Sequence, residues 1–237
     1  MTVPCIVLAG GLGTRLQSAV PDLPKCLAPI AGRPFLEWQL LSLAERGIES
    51  FVLALGHGAE DVLESLKQPW AHALSITAVI EDELLGTGGA ARFAMDERGL
   101  DEALIVNGDT YLGGSLREML LPIDFGDGEL MRIATVHVRD RTRFGGIAID
   151  SKNTVSAFLE KGQAGAGPIN AGLYRIQRRA FDEDGQNAFS IETQVMPRLV
   201  AKNALKARVI SGPFIDIGVP DDYYRFNNYI HTYVSQD

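Results

Sequence analysis

With 237 residues, 46% of them hydrophobic, the chain can bury one sizeable core and has a length common for a single α/β domain. A formal net charge of -8 excludes a broad nucleic-acid or membrane footprint, because phosphate backbones and anionic lipids demand a basic face. An anionic ligand must instead meet a few locally placed cations.

Residues 4–9 are continuously apolar and end in glycines, which predicts a buried parallel strand. The run Leu8-Ala9-Gly10-Gly11-Leu12-Gly13-Thr14-Arg15-Leu16 follows it directly. Three glycines let backbone N–H groups approach phosphate oxygens closely. Two familiar phosphate loops do not fit: the dinucleotide fingerprint lacks its third glycine at Leu16, and the Walker loop lacks Gly-Lys-Ser/Thr. Arg15 can clamp two phosphate oxygens at once, and Pro24-Lys25 presents a second cation from a rigid turn. Arg15 also interrupts the apolar start before a signal-length or membrane-length run forms, and Cys5 and Cys26 have no metal-ligand spacing. A cytoplasmic protein with reduced thiols is therefore expected.

Residues 34–46 place Phe35, Trp38, Leu41 and Ala44 on one helical stripe, with Gly47 as the C-terminal stop. Residues 51–55, 74–80 and 103–106 read as further strands, and the alternation up to about residue 121 predicts a parallel sheet with helices on both faces and ligands at its carboxyl edge. After the strand at 74–80, Glu81-Asp82-Glu83 reads either as a solvated loop or as a wall of a base pocket. In the second case the Glu81 carboxylate accepts two N–H bonds from guanine and repels the carbonyl edge of uracil or thymine. Gly86, Thr87, Gly88 and Gly89 then open a helix on whose backbone a flat base can lie. Asn107-Gly108-Asp109 ends the next strand, where Asp109 is placed to hold a hard divalent cation.

Past residue 127 the spacing tightens to strands at 131–138, 146–150, 154–159 and 170–176, which predicts an antiparallel extension of the same sheet. Residues 190–199 and 221–234 read as helices. In the latter, Phe226, Tyr229, Ile230 and Tyr233 form a stripe that is core or the contact of a homodimer. Asp216, in Phe214-Ile215-Asp216-Ile217-Gly218-Val219-Pro220, reads on its own as a cap. The histidines at 57, 72, 137 and 231 make no cluster with a nucleophile and carry no expected catalytic role.

The loop from Leu8 to Leu16 with the downstream Pro24-Lys25 resembles the signature of the sugar-1-phosphate nucleotidyltransferases. The resemblance implies a Rossmann-like, three-layer αβα (GT-A-like) fold with a mixed, mainly parallel central sheet. It implies one domain over residues 1–237, with an NTP-binding half (1–121) and a sugar-phosphate-binding half (122–237). In the family's pattern the loop wraps the NTP phosphates, Arg15 neutralises pyrophosphate and Lys25 contacts the reacting phosphates. Arg15, Lys25 and Asp109 are then the catalytic set, and Asp109 and Asp216 hold Mg²⁺. Leu8, Ala9, Gly10, Gly11, Gly13, Thr14, Arg15, Glu81, Gly86, Thr87 and Gly88 meet the nucleotide; Asn107, Gly145, Glu160, Lys161, Asn170 and Gly172 meet the sugar phosphate. The Leu85-Gly86-Thr87-Gly88-Gly89-Ala90 form is most like the guanylyltransferases of the D-glycero-D-manno-heptose 1-phosphate branch, which favours GTP as donor. A mannose 1-phosphate guanylyltransferase, a glucose 1-phosphate thymidylyltransferase and a non-catalytic nucleotide-binding regulatory module are the competing readings. The Glu-Lys and Asn-Ala-Gly segments discriminate against a molybdopterin-type enzyme.

Overall fold

The computed structural model describes residues 3–123 and 128–234. In chain order the first half comprises β1 (Cys5–Leu8), β2 (Pro29–Ile30), β3 (Arg33–Pro34), α1 (Phe35–Glu45), β4 (Ser50–Leu55), α2 (Ala59–Ser65), β5 (Ser75–Ile80), α3 (Gly86–Arg98), β6 (Glu102–Asn107), β7 (Thr110–Leu112) and α4 (Arg117–Leu120). The second half adds β8 (Met131–Val138), β9 (Gly146–Ile149), β10 (Val155–Leu159), β11 (Gly167–Gln177), α5 (Met196–Ala201), β12 (Leu205–Val209), β13 (Phe214–Asp216) and α6 (Pro220–Val234).

Seven strands form one sheet in the order β12-β8-β11-β6-β1-β4-β5. β1 pairs in parallel with β4 and β6, and β4 with β5; β11 runs against both β6 and β8, and β12 is parallel to β8. The sheet is therefore mixed and mainly parallel, and strands of both halves hydrogen-bond across the β6–β11 seam. Side chains alternate across it. Cys5 and Val7 of β1 point into a core covered by Leu36, Leu40 and Leu43 of α1 and by α2, while Ile6 points into a second core covered by Ala91, Ala94 and Met95 of α3 and by α5. The result is the expected three-layer αβα arrangement.

Three expectations need correction. β9 and β10 do not extend the sheet but pair with each other as a separate two-stranded ribbon, which meets the β12 edge at the isolated antiparallel Thr154–Lys206 bridge. The predicted helix at 190–199 opens as a π-helical turn, Ile191–Val195, before α5. The α1 stripe is wrong in detail, since the helix is buried on two sides: Leu36, Leu40 and Leu43 face the sheet, whereas Phe35 and Trp38 face α6 in a third core. The α6 stripe is core in part as expected: Phe226 and Ile230 are fully buried in that third core and Tyr229 is exposed, while the Tyr233 side chain lies outside the described residues. Among the described residues no helix is long and apolar enough to cross a membrane. Cys5 and Cys26 are buried free thiols, and burial pushes the thiol of Cys26 up to about 12, which leaves it inert.

Candidate active site

The glycine loop leaves the carboxyl end of β1 held by Ala9 N–H to the Ala54 carbonyl (2.9 Å). Among the described residues, none accepts from the N–H groups of Gly11, Leu12, Gly13 or Thr14, so this row is free for an anion. Gly13 takes a left-handed backbone (φ 61°), which brings the loop onto Lys25. Arg15 has no ion-pair partner among the described residues and faces the space in front of the loop. Lys25 opens a short 3₁₀ turn, Lys25–Leu27, fixed by Pro24, and its ammonium pairs with Asp109.

Asp109 follows β6 through Gly108, whose missing side chain lets the turn close on β1: a Cβ there would sit 2.6 Å from the Leu8 carbonyl oxygen. A second carboxylate arrives from the far end of the chain, because β13 pairs with β7 and sets Asp216 opposite Thr110. Both carboxylates crowd Gly218; a Cβ on it would lie 2.7 Å from Asp216 Oδ1 and 2.9 Å from Asp109 Oδ2. Burial first, and then the charge of Asp109, push the Asp216 carboxyl up to about 6, although the Gly218 N–H and the Lys25 ammonium oppose this. Among the described residues no group of three or more His, Cys, Asp or Glu side chains is arranged to hold a metal ion by itself. A cation held by this pair must therefore complete its shell with ligand oxygens and water.

In front of the loop lies a cleft of 530 Å³, and every residue expected at the nucleotide lines it except Gly88; Asn107, Lys25 and Asp109 line it as well. Glu81 turns into this cleft while Asp82 and Glu83 are exposed, so the acidic triplet is divided between site and solvent. The Glu81 carboxylate accepts from Leu85 N–H at 3.2 Å, and its other oxygen packs where a Cβ on Gly10 or Gly56 would stand, 2.9 and 2.7 Å away. Burial raises its pKa and the Leu85 bond opposes the rise. Sequence reasoning missed Leu12 and Leu84, exposed apolar side chains on opposite segments of the cleft wall, and Gly56; the dipeptide Leu55-Gly56 after a strand was the available signal.

Gly86, Gly88 and Gly89 also permit a close approach within the protein itself. The N–H groups of Gly88 and Gly89 donate to the Phe189 carbonyl (2.9 and 3.3 Å), so these two amides are satisfied within the protein, while Gly86 and Thr87 line the cleft. A Cβ on Gly88 would meet the Phe189 ring at 2.3 Å, and one on Gly89 the Asn187 carbonyl oxygen at 2.2 Å. The glycines dock the 187–192 segment onto α3. Gly88→Ala tests this. Helix propensity alone favours alanine by about 1 kcal/mol, whereas overpacking a buried ring costs about 1–3 kcal/mol, so the clash wins and the thermal midpoint falls by a few °C; an unchanged or raised midpoint overturns the packing argument.

A second cleft, also of 530 Å³, lies between the β9–β10 ribbon, β11 and β13, and is lined by Asn107, Gly145, Glu160, Lys161, Asn170, Gly172 and Asp216, as the sugar-phosphate set anticipated. Glu160 and Lys161 are exposed and form no ion pair with each other among the described residues, which leaves both free for a ligand. A bulge in β11 aims Asn170 inward: the pairing with β8 slips between Asn170 and Tyr174, Gly172 adopts φ 69°, and its N–H donates to Asn170 Oδ1 at 2.8 Å. Arg15, Asn107 and Glu192 line both clefts. Nothing in the local sequence around Glu192 singled it out.

This arrangement of loop, cations and carboxylates has counterparts. The sequence pattern described as "Nucleotidyl transferase" matches residues 5–232. The chain belongs to the nucleotidyl transferase family. It is 35% identical to the D-glycero-alpha-D-manno-heptose 1-phosphate guanylyltransferase of Campylobacter jejuni over 93% of this chain and 97% of that one. It is also similar to the mannose-1-phosphate guanylyltransferase of Mycobacterium tuberculosis, at 33% identity over 94% of this chain and 63% of that longer one. Among solved structures, HddC from Yersinia pseudotuberculosis complexed with GMP-PN superimposes with a TM-score of 0.84 at 32% identity, covering 96% of this chain and 99% of that one.

Proposed function

We propose that this family member transfers GMP from GTP to a sugar 1-phosphate, with D-glycero-D-manno-heptose 1-phosphate as the favoured acceptor, giving the GDP-sugar and pyrophosphate. The observation that carries the reading is the meeting of two clefts at Arg15 and Asn107, one lined by Asp109 and the other by Asp216. The names of the full-length relatives support the base and the sugar, and GTP as donor is in keeping with a cytoplasmic enzyme.

Asp109 and Asp216 suit a hard divalent cation such as Mg²⁺, which takes one or two carboxylates and keeps phosphate and water oxygens. The raised pKa of Asp216 supports the fit, because two crowded carboxylates beside one ammonium are short of positive charge. Bound there, such an ion would neutralise charge on the reacting phosphates. The chain's own groups do the rest. The amide row from Gly11 to Thr14 cradles the triphosphate, and the Arg15 fork holds two oxygens of the departing pyrophosphate. Lys161 and Glu160 hold the acceptor by its phosphate and hydroxyls. An acceptor phosphate oxygen attacks the α-phosphorus in line; the new O–P bond forms as the bond to the β-phosphate oxygen breaks, and pyrophosphate leaves with the electron pair. The attacking oxygen is already anionic at neutral pH, so no general base is needed and catalysis rests on positioning and charge.

The decisive experiment is product mass and pyrophosphate release across an array of sugar 1-phosphates with each NTP. GDP-heptose as the fastest product is expected; turnover of no pair with a divalent ion present overturns the reading, and mannose 1-phosphate as the better acceptor moves it to the neighbouring branch. Glu81→Gln tests base recognition. The amide keeps one acceptor and adds a donor, so the preference for GTP over UTP falls by about tenfold or more, the worth of one bond in a bidentate base contact. Unchanged base selectivity shows that Glu81 does not read the base.

A further inference from the structure

Glu192 sits on the π-helical turn Ile191–Val195, an irregularity that costs helical geometry and recurs at functional positions. Its carboxylate is held from the nucleotide side: Oε2 accepts from the Thr87 hydroxyl at 2.7 Å and from the Ser190 hydroxyl at 3.0 Å, while the Thr87 oxygen accepts from Ile191 N–H at 2.9 Å. Its other oxygen is barely used. Among the described residues Oε1 has only a long contact, 3.5 Å, from the hydroxyl of Tyr174. That phenol is fully buried and accepts from Asn170 Nδ2 at 2.9 Å, so the chain of polar contacts runs from the first turn of α3, through Glu192 and Tyr174, to the bulge that lines the second cleft. Next to it, Asn107 Oδ1 is buried without a partner among the described residues and also borders both clefts. A buried acceptor in that state costs free energy until a donor arrives.

We propose that Glu192 is a specificity-determining residue shared by the two clefts: its underused Oε1 accepts a hydroxyl of the acceptor sugar, with Asn107 Oδ1 beside it for a second donor, while the Thr87 tether fixes the carboxylate to the donor side. The inference rests on the assignment of the two clefts to GTP and sugar 1-phosphate. Its consequence is thermodynamic coupling. A nucleotide that orders the first turn of α3 sets Glu192 for the sugar, and by reciprocity the sugar tightens the nucleotide by the same factor.

The test compares the wild type with Glu192→Gln and Thr87→Val, measuring kcat, both KM values, thermal midpoint, and calorimetric Kd for a non-hydrolysable GTP analogue with and without heptose 1-phosphate. In the wild type the sugar phosphate is expected to tighten the analogue about fivefold or more. Glu192→Gln keeps an acceptor for Thr87, so the thermal midpoint and the analogue's Kd measured alone stay within about twofold and 2 °C, whereas the KM for the sugar phosphate rises about tenfold, the worth of a hydrogen bond to a charged acceptor, and the tightening disappears. Thr87→Val removes the tether without removing the carboxylate and is expected to reduce the tightening while leaving the acceptor KM less affected than Glu192→Gln does. If Glu192→Gln retains both the tightening and the acceptor KM, or if it merely lowers the thermal midpoint and weakens the analogue alone, Glu192 is structural and the proposal falls. A wild type that turns over no pair removes the functional reading and this inference together; an active wild type without coupling removes this inference alone.

Discussion

Asp109→Asn and Asp216→Asn each lower kcat by about two to three orders of magnitude at fixed Mg²⁺, while the protein stays folded. An ion held by one carboxylate instead of two loses several kcal/mol of stabilisation on the reacting phosphates, and every ~1.4 kcal/mol is a factor of ten. The two variants part company in stability. Asp216 is a buried carboxyl whose folded-state pKa is raised to about 6 from an ordinary value of 3.8. An acid with a raised pKa in the folded state holds its charge at a cost, so its contribution is unfavourable above pH 6 and vanishes as pH falls below 4. Asn at 216 removes that cost, and the metal-free variant is expected to melt a few °C above the wild type at pH 8, with the gap closing toward pH 4. Asp109, in contrast, is paired with Lys25, and Asp109→Asn takes that partner from the cation even as it relieves the repulsion on Asp216, so its gain at pH 8 is the smaller of the two. Pyrophosphate-release kinetics and thermal melts in chelator check both halves; near-normal turnover in both variants refutes the metal assignment.

Arg15→Ala is expected to reduce kcat by about 10²–10³-fold, the usual cost of removing one preorganised charged donor from developing oxyanions. The side chain has no ion-pair partner among the described residues and borders both clefts, so its removal leaves no buried charge behind and the thermal midpoint should not fall. Arg15→Lys separates charge from geometry. Lysine restores the charge but not the planar fork, and a recovery of more than about tenfold over alanine argues that field rather than bidentate contact is what matters. If Arg15→Ala raises the KM for GTP and leaves kcat alone, the guanidinium serves ground-state binding and not the departing pyrophosphate.

The features legible in the sequence are those whose partners lie within a few residues. The glycine loop, Arg15 and Lys25 follow one strand and one turn, and the parallel strands announce themselves as short apolar runs between helical spacing. Asp216 was harder, since its placement depends on a three-residue ribbon joining distant segments; the family resemblance supplied what local pattern could not. Glu192 lay beyond both. Its role comes from where a π turn meets Thr87 and Tyr174, and one acidic residue after Ser-Ile carries no trace of that. The glycines at 86, 88 and 89 are legible as a close approach, but their packing on Phe189 and Asn187 is not, because those partners lie about a hundred residues away in the chain. The α1 stripe failed for the same reason, because a helix covered by α6 as well as by the sheet has two buried faces.

The β7–β13 ribbon has a consequence for folding. Asp109 and Asp216 come together only when this pairing closes a loop of nearly half the chain, the kind of contact whose chain entropy must be met late. The strands that flank the glycine loop, β4 and β6, lie within the first 107 residues, whereas the second carboxylate comes from β13. If both carboxylates are needed for turnover, as proposed, competence for chemistry is a property of the finished chain.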